Sequence, residues 1–359
     1  MKILFTRFPY ESSYGGAEVQ TLSLMQGLRE RGHAVAFLGS CPVLLRLCKE
    51  KGIPHAKLDI GKPPVSKGSA LSFTWRKGRM DRLLQTALRQ FDELDAICML
   101  SLTEKILLTP HVAERNIPVV WIEHDKVGKW LTQNPWLPKL KALSKIAKTV
   151  CVSDLSKDVY VSLGWERKNI ISIPNGVHTT DIAHRKTDAL RLQIGCIARL
   201  SYEKGVDVLI RAMKDVPTAA LSILGKGPEQ KNLEKLVRKL QLTERVAFKE
   251  TLANIDDLYQ EIDLLVLPSR AHDPFGMVAA EAMMRGIPVI VTEACGIARH
   301  VKRGSEAIVI PVNSVEALTE AIKTLTPEKR KILSEQGRQA AREKFTLKTM
   351  IDRYEQLLS

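Results

Sequence analysis

Short apolar runs of strand-like composition alternate, from one end of the chain to the other, with stretches whose apolar positions recur every three or four residues. "KILFT", "AVAFLG", "DAICML", "PVVWIEH" and "TVCVS" read as strands, and "AEVQTLSLMQGLRERG" and "TEKILLTPHVAERN" between them read as helices. Strands apolar on both faces, separated by amphipathic helices, predict an α/β domain with a parallel sheet covered on both sides. The alternation then restarts: "QIGCIARL", "AALSILG", "RVAFK", "DLLVLPS" and "PVIVTEA" are spaced by helical patterns such as "GVDVLIRAMKDV" and "GPEQKNLEKLVRKLQL". Two doubly wound Rossmann-like domains follow, over residues 1–166 and 167–342. The closing "TLKTMIDRYEQLLS", within 343–359, reads as a lone amphipathic helix free to cross back to the first domain. Ligands of doubly wound sheets sit outside the carboxyl ends of the strands, so two such domains facing each other would form one cleft.

The composition is that of an ordinary globular protein, with 359 residues, 45% hydrophobic and 26% charged. No segment approaches the roughly 18 to 20 apolar residues of a spanning helix, and the first apolar run is too short for a signal peptide. A cytoplasmic protein, peripheral on the inner face of a membrane, is expected. Six cysteines lie singly with no C-x-x-C pair, which reads as reduced, buried thiols. The net charge of +14 predicts an anionic partner: nucleic acid, anionic lipid or a phosphorylated substrate. Its distribution narrows the choice. Lys126, Lys129, Lys139, Lys141, Lys145 and Lys148 share an acid-free stretch, and Lys62, Lys67, Arg76, Lys77 and Arg79 share another. Both are interleaved with Phe73, Trp75, Trp130, Trp136 and Leu137, the mixture expected where a surface meets lipid headgroups; a solvated basic face is the plainer alternative.

Candidate chemistry gathers at turns after strands. Gly15 and Gly16 open the first helix, where free N–H groups and the helix dipole favour a phosphate or acceptor. No G-x-G-x-x-G follows the first strand, and "GKGPEQ" has the wrong third position, which argues against a nicotinamide dehydrogenase. Arg199 and Lys204 flank a strand-to-helix turn and can clamp a diphosphate. In "HDPFGMVAAEAMMRGIPVI", Asp273 precedes a helix that starts near Gly276, and Glu281 lies more than a turn inside it. At 1.5 Å per residue the two carboxylates stand at most roughly 12 Å apart. A glycosidase pair stands about 5 to 9.5 Å apart, so this one suits a longer ligand: sugar hydroxyls at one end, a ribose at the other, and a diphosphate over the N–H groups of Gly276 and Met277.

"GGAE", "EHD", "CVSDLSKD", "ISIPNGVHTTD", "IARLSYEKGVD", "LGKGPE" and "PSRAHDPFGMVAAEAMMRGIPVIVTEACG" occur in the order found in retaining glycosyltransferases of the GT-B fold, family 4 (glycosyl transferases group 1), which the chain resembles over its whole length. The resemblance implies that Arg199 and Lys204 hold the donor diphosphate and offset the charge that grows on it, and that Glu281 binds the ribose hydroxyls. It implies that Asp273 and the backbone around Phe275 and Gly276 grip the transferred sugar, with His124 near that sugar and Gly16 near the phosphates or acceptor. No D-x-D motif occurs, so metal-independent transfer without a cofactor is expected, by a front-face route in which the leaving phosphate helps deprotonate the acceptor. Asp273 stands where the family's pattern has Glu, one methylene longer. "ACGIARHV" lacks the family's Gly-Gly-x-x-Glu continuation and is similar to the matching stretch of lipopolysaccharide core glucosyltransferases, which dock on the inner membrane through a basic first domain.

The implied activity is transfer of a hexose from a nucleotide-diphosphate sugar, UDP-linked, to a bacterial envelope glycan such as lipopolysaccharide core. The acceptor, a glycolipid or phosphorylated glycan, falls to the first domain and the nucleotide sugar to the second. Alternatives are a GT-B transferase acting on a soluble acceptor, a nucleotide-sugar epimerase of similar architecture, and a degenerate transferase serving as a partner protein. A nucleic-acid partner has no recognised motif behind it. Base recognition is expected on backbone near "KETL" (Lys249 to Leu252), where side chains do not report the base.

Overall fold

The computed structural model describes residues 1–10, 15–91, 93–180, 191–249 and 255–359. The chain divides into two compact units, one of Met1–Gly176 with Leu347–Ser359 and one of Val177–Thr346. Each is built on a parallel sheet, as the alternating pattern requires.

In the first unit the strands are β1 (Lys2–Arg7), β2 (Ala34–Gly39), β3 (His55–Lys57), β4 (Ala96–Met99), β5 (Val119–Glu123), β6 (Lys148–Cys151) and β7 (Ile170–Ser172). Their order is β3-β2-β1-β4-β5-β6-β7, all parallel, with the chain reversing direction across the sheet between β1 and β4. β4 and β5 are buried at every residue, which is why their sequences read as unbroken apolar runs. β3 and β7 are three-residue edge strands, too short to carry a period, and they exist through pairing with β2 and β6. Because β7 belongs to the first sheet, the first unit runs to Gly176, beyond the expected boundary at 166.

The second sheet has β8 (Leu192–Ile197), β9 (Ala219–Leu224), β10 (Val246–Lys249), β11 (Leu264–Leu267), β12 (Val289–Thr292) and β13 (Ile308–Ile310). Its order is β10-β9-β8-β11-β12-β13, with the reversal between β8 and β11. The helix Pro327–Lys344 keeps the chain in this unit to Thr346, beyond the expected 342.

The final helix, Leu347–Leu358, buries Met350, Ile351, Tyr354 and Leu358 in the first unit's core. It packs on the helix Gly16–Glu30, where a Cβ on Gly27 would stand 2.0 Å from Ile351 Cδ1, so the two backbones approach only because that position is glycine. Arg31 bridges Asp352 (2.5 Å) and Glu355 (2.6 Å), and His33 Nε2 lies 2.7 Å from Glu355, which sets the register of the packing. All six cysteines are buried and none is in a disulfide, three of them lying within β4, β6 and β8.

Candidate functional site

The second sheet reverses between β8 and β11, and the loops leaving those strands carry the expected cations and the first carboxylate. Arg199 follows β8 and is exposed. The segment beneath it is braced by the "GKGPE" turn. A Cβ on Gly225 would lie 2.0 Å from the Ala198 carbonyl oxygen and one on Gly227 2.2 Å from that of Leu200, so these glycines serve close backbone packing. Lys204 ends a short 3₁₀ turn and is followed by Gly205, whose left-handed conformation (φ 64°) brings it against the Pro268 carbonyl oxygen. The Arg270 N–H then donates to the Glu203 carbonyl at 2.7 Å, joining the β8 and β11 loops.

That juncture sets Lys204 Nζ 2.6 Å from Asp273 Oδ2, which also accepts from the buried Ser269 hydroxyl at 3.1 Å. The residue expected on a diphosphate and the one expected on a sugar are therefore ion-paired to each other. Backbone bonds hold Asp273 from both sides: its N–H donates to Ala294 (2.9 Å) and its carbonyl accepts from Gly296 (2.8 Å). The "ACGIARHV" stretch is thus the strand-like brace of the loop that carries Asp273. Phe275 is 2% exposed and packs edge-on against Phe345 at 5.6 Å, so its side chain is core and only its backbone is available to a ligand. Gly276 (φ 95°) caps the helix Met277–Met284, leaving the N–H groups of Gly276 and Met277 without intrahelical acceptors.

Glu281 sits within that helix, and burial first raises its pKa, with the Tyr259 hydroxyl and Arg285 pulling it back down. Tyr259 Oη donates to Glu281 Oε2 at 2.7 Å. Arg285 stacks over the Tyr259 ring at 4.5 Å, bonds the Glu281 carbonyl at 3.0 Å and pairs with Asp256. Sequence reasoning missed Tyr259 and Arg285. The signal available was their helical spacing, Tyr259 in "DDLYQE" and Arg285 four residues after Glu281. The residues Glu250 to Leu252 of the expected base-recognition segment lie outside the described residues; Lys249 bonds Glu261 at 2.5 Å.

On the first unit, Gly15 is the extended N-cap (φ −157°) of the helix Gly16–Glu30, and Gly16 is exposed. The anion site expected there already holds a carboxylate nearby: Glu18, in the first turn and 4% exposed, pairs with Arg7 at 2.8 Å. His124 follows β5 and is half-buried, with Nδ1 enclosed and without a partner among the described residues. Burial, and then the charges of Arg7 and Lys105, hold its pKa well below the ordinary value, so the ring is neutral at physiological pH.

The neighbouring Glu123, which no motif singles out, is the more built-in residue: Oε1 accepts from Lys105 Nζ and Oε2 from Tyr160 Oη, both at 2.8 Å. Lys105 is 4% exposed inside a helix whose cap ties the strand ends together. Glu104 Oε1 accepts from the Ser101 N–H (2.6 Å), and Ser101 Oγ accepts from the Phe8 N–H (3.0 Å). Glu104 is fully buried, and burial pushes its pKa from 4.5 up to about 8. A carboxyl whose folded pKa is raised contributes stability that is full below 4.5 and is lost as pH rises through about 8. Glu104→Gln, which keeps the acceptor without the charge, is expected to flatten the fall in melting temperature between pH 5 and 8. The gain at pH 8 is on the order of a few kcal/mol, readable by thermal melts at both pH values.

The aromatic part of the expected lipid-facing pattern is largely interior. Phe73 is fully buried, and Trp136 packs on it edge-on at 4.9 Å while donating Nε1–H to the Ala70 carbonyl at 3.0 Å. Trp130 bonds the Lys126 carbonyl at 3.1 Å. Periodicity did not separate these from Trp75, which stands 82% exposed with Leu71 on the helix Lys67–Leu88. Among the described residues no helix is long and apolar enough to cross a membrane.

Comparison with known proteins follows the same division. The family model described as glycosyl transferases group 1 matches residues 180–343, and that of glycosyltransferase family 4 matches residues 14–181. The lipopolysaccharide core biosynthesis glycosyltransferase LpsD of Rhizobium meliloti is 29% identical over 99% of this chain and 97% of its own. LpsE of the same organism is 29% identical over 55% of this chain and 59% of its own. The solved structure of Anabaena HepE in complex with UDP superposes with a TM-score of 0.84 at 22% identity, covering 100% of this chain and 99% of that one. The shared architecture is the GT-B fold.

Proposed function

We propose, from the premise that the chain belongs to the group 1, family 4 glycosyltransferases, that it moves a hexose from a UDP-sugar to a bacterial envelope glycan with retention of anomeric configuration and without a metal. One observation carries the donor reading. At the switch point of the second sheet, Lys204 and Asp273 meet beside the helix N-terminus at Gly276 and Met277, while Glu281 is held further along that helix by Tyr259.

Arg199 and Lys204 supply the positive charge that a diphosphate leaving group requires, and the helix N-terminus adds its own. The Tyr259 hydroxyl occupies one oxygen of Glu281 and leaves the other to accept from ribose hydroxyls. Asp273, which Lys204 and Ser269 hold in place, accepts from hydroxyls of the sugar. In the transfer step the bond from the sugar's anomeric carbon to the diphosphate oxygen breaks, and a bond to the acceptor oxygen forms on the same face. The acceptor's proton passes to the departing diphosphate. Neutral His124 serves the sugar as a hydrogen-bond partner.

The relatives' printed roles in lipopolysaccharide core biosynthesis support an envelope glycan as acceptor, and the UDP held by HepE supports a uridine donor. A chain of net charge +14 with Trp75 and Leu71 exposed beside Arg76 and Lys77 supports a first unit that rests on anionic lipid, on the cytoplasmic face.

Thermal stabilisation by UDP, GDP, ADP and their sugars, in chelator, tests the donor reading. A ligand at a hundredfold its dissociation constant adds about 2.7 kcal/mol to stability. The uridine ligands alone are expected to stabilise, and Glu281→Ala and Arg199→Ala to abolish the shift. Stabilisation that needs a divalent ion, or none with any nucleotide, overturns the reading.

A further inference from the structure

We infer that Arg285 is a positioning residue for the donor's ribose: it supplies a fixed positive charge that keeps Glu281 an open acceptor for the vicinal hydroxyls. The inference rests on the donor reading above, in which Glu281 meets the ribose, and names the group that readies it.

Glu281 is the one charged residue of the helix Met277–Met284, whose Ala279, Ala280, Ala282, Met283 and Met284 are all buried. A carboxylate in such surroundings requires a countercharge. Arg285 follows four positions later, the spacing of a direct helical ion pair. The fold diverts it. Its guanidinium bonds the Glu281 carbonyl oxygen at 3.0 Å, reaches Asp256 Oδ1 through Nε at 3.1 Å and stacks 4.5 Å over the Tyr259 ring. No ion pair joins it to the Glu281 carboxylate among the described residues.

That diversion suits a ligand. A direct pair would occupy the carboxylate; instead the Tyr259 hydroxyl takes Oε2 at 2.7 Å, and Oε1 has no partner among the described residues. Tyr259 is buried and the Arg285 side chain is 14% exposed, so the charge acts through a poorly hydrated space where it is worth several times its value in water. Two adjacent hydroxyls donating to one ionised oxygen are the ligand chemistry that such an acceptor fits best.

The neighbours of Glu281 set its charge. Burial raises its pKa, and the Tyr259 bond and then Arg285 lower it. Asp256, on the helix Ile255–Glu261, raises it, and His178, exposed after β7, lowers it. Removing Arg285 deletes a lowering charge and leaves Asp256 unopposed, so both changes act upward. The ionised carboxylate is then lost as pH falls through the raised value. An Arg285 that merely tied one helix to the other would leave the ribose contact indifferent to pH.

The test is calorimetric titration of the full chain, in chelator, with UDP-glucose and its 2′,3′-dideoxyuridine counterpart between pH 5.5 and 8. The diphosphate diester keeps its charge over this range, so the ratio of the two dissociation constants reports the ribose contact. In the wild type the ratio should favour the ribose form and vary by less than about twofold. In Arg285→Met it should shrink about fivefold from pH 8 to pH 6, the difference between a charge-assisted and a neutral hydrogen bond. Arg285→Lys, which keeps the charge, and Arg285→Met with Asp256→Asn, which removes both charges, should each recover most of the ratio at pH 6. His178 is common to every variant, so the wild-type profile subtracts its own titration. Tyr259→Phe, which removes the other lowering contact, should show the same loss and serves if Arg285→Met does not fold. The inference falls if Arg285→Met and Tyr259→Phe keep the wild-type profile, or if Arg285→Lys behaves as Arg285→Met. A wild-type ratio near one at every pH overturns the ribose role of Glu281 and this inference with it; a ribose-dependent wild type with flat variants sinks this inference alone.

Discussion

Lys204→Ala is expected to lower kcat/KM for sugar transfer by about 10²- to 10³-fold, the usual loss when one preorganised group facing a developing charge is removed. The effect should fall mainly on kcat, because the negative charge on the diphosphate grows as the glycosidic bond breaks and Lys204 is then worth most. The resting ion pair sharpens the test. Lys204 lies 2.6 Å from Asp273, so a donor diphosphate has to share the ammonium with a carboxylate already bound to it. Asp273→Asn removes that competitor while keeping an oxygen for the sugar. It is expected to hold or tighten UDP binding, seen as an equal or larger thermal shift, while lowering kcat. If Lys204→Ala leaves kcat within threefold of wild type, the charge that stabilises the leaving group comes from elsewhere. Lys204 is partly exposed but Asp273 is buried, so the melting temperature without UDP is measured for both variants, and an unchanged value shows that neither acts through the fold.

Glu123→Ala is expected to cost the first unit about 3 to 5 kcal/mol, the penalty for leaving one partner of a buried ion pair without the other. Lys105 and Glu123 are 5% and 9% exposed in their side chains, and Glu123 is also the acceptor of the buried Tyr160 hydroxyl. Removing the carboxylate strands an ammonium and a phenol in a low-dielectric interior. The double variant Lys105→Met with Glu123→Leu removes both charges and should recover most of that loss. Urea unfolding followed by fluorescence reads both, because all the tryptophans lie in the first unit and report its transition. Equal destabilisation by the single and double variants would show that volume, rather than charge, sets the cost.

The strands legible in the sequence were those of four or more residues with an apolar run: β1, β2, β4, β5 and β6 in the first sheet and β8 to β12 in the second, most of them largely buried and β10 a partly exposed edge strand. β3, β7 and β13, three residues each, were missed because so short a segment has no period and is defined only by the neighbour it pairs with. The same limit displaced the first boundary, while the second moved because a long helix belongs to the second unit. β7 extends the first unit to Gly176, and the helix Pro327–Lys344 extends the second to Thr346.

By itself, the sequence determined the two parallel α/β units, the positions of Arg199, Lys204, Asp273 and Glu281 at strand-end loops and on one helix, and the positive charge. These follow from local periodicity, glycine placement and motif order, which act over a few neighbouring residues. Only the tertiary structure decided that Lys204 pairs with Asp273 across 69 positions, that Tyr259 holds Glu281 across 22, and that Phe73 is interior with Trp136 half-buried against it while Trp75 is exposed. It alone also joined Arg7 to Glu18 and Lys105 to Glu123. Charges and rings separated along the chain find partners only when strands are set side by side, and burial then multiplies the energy of each pairing beyond anything spacing encodes.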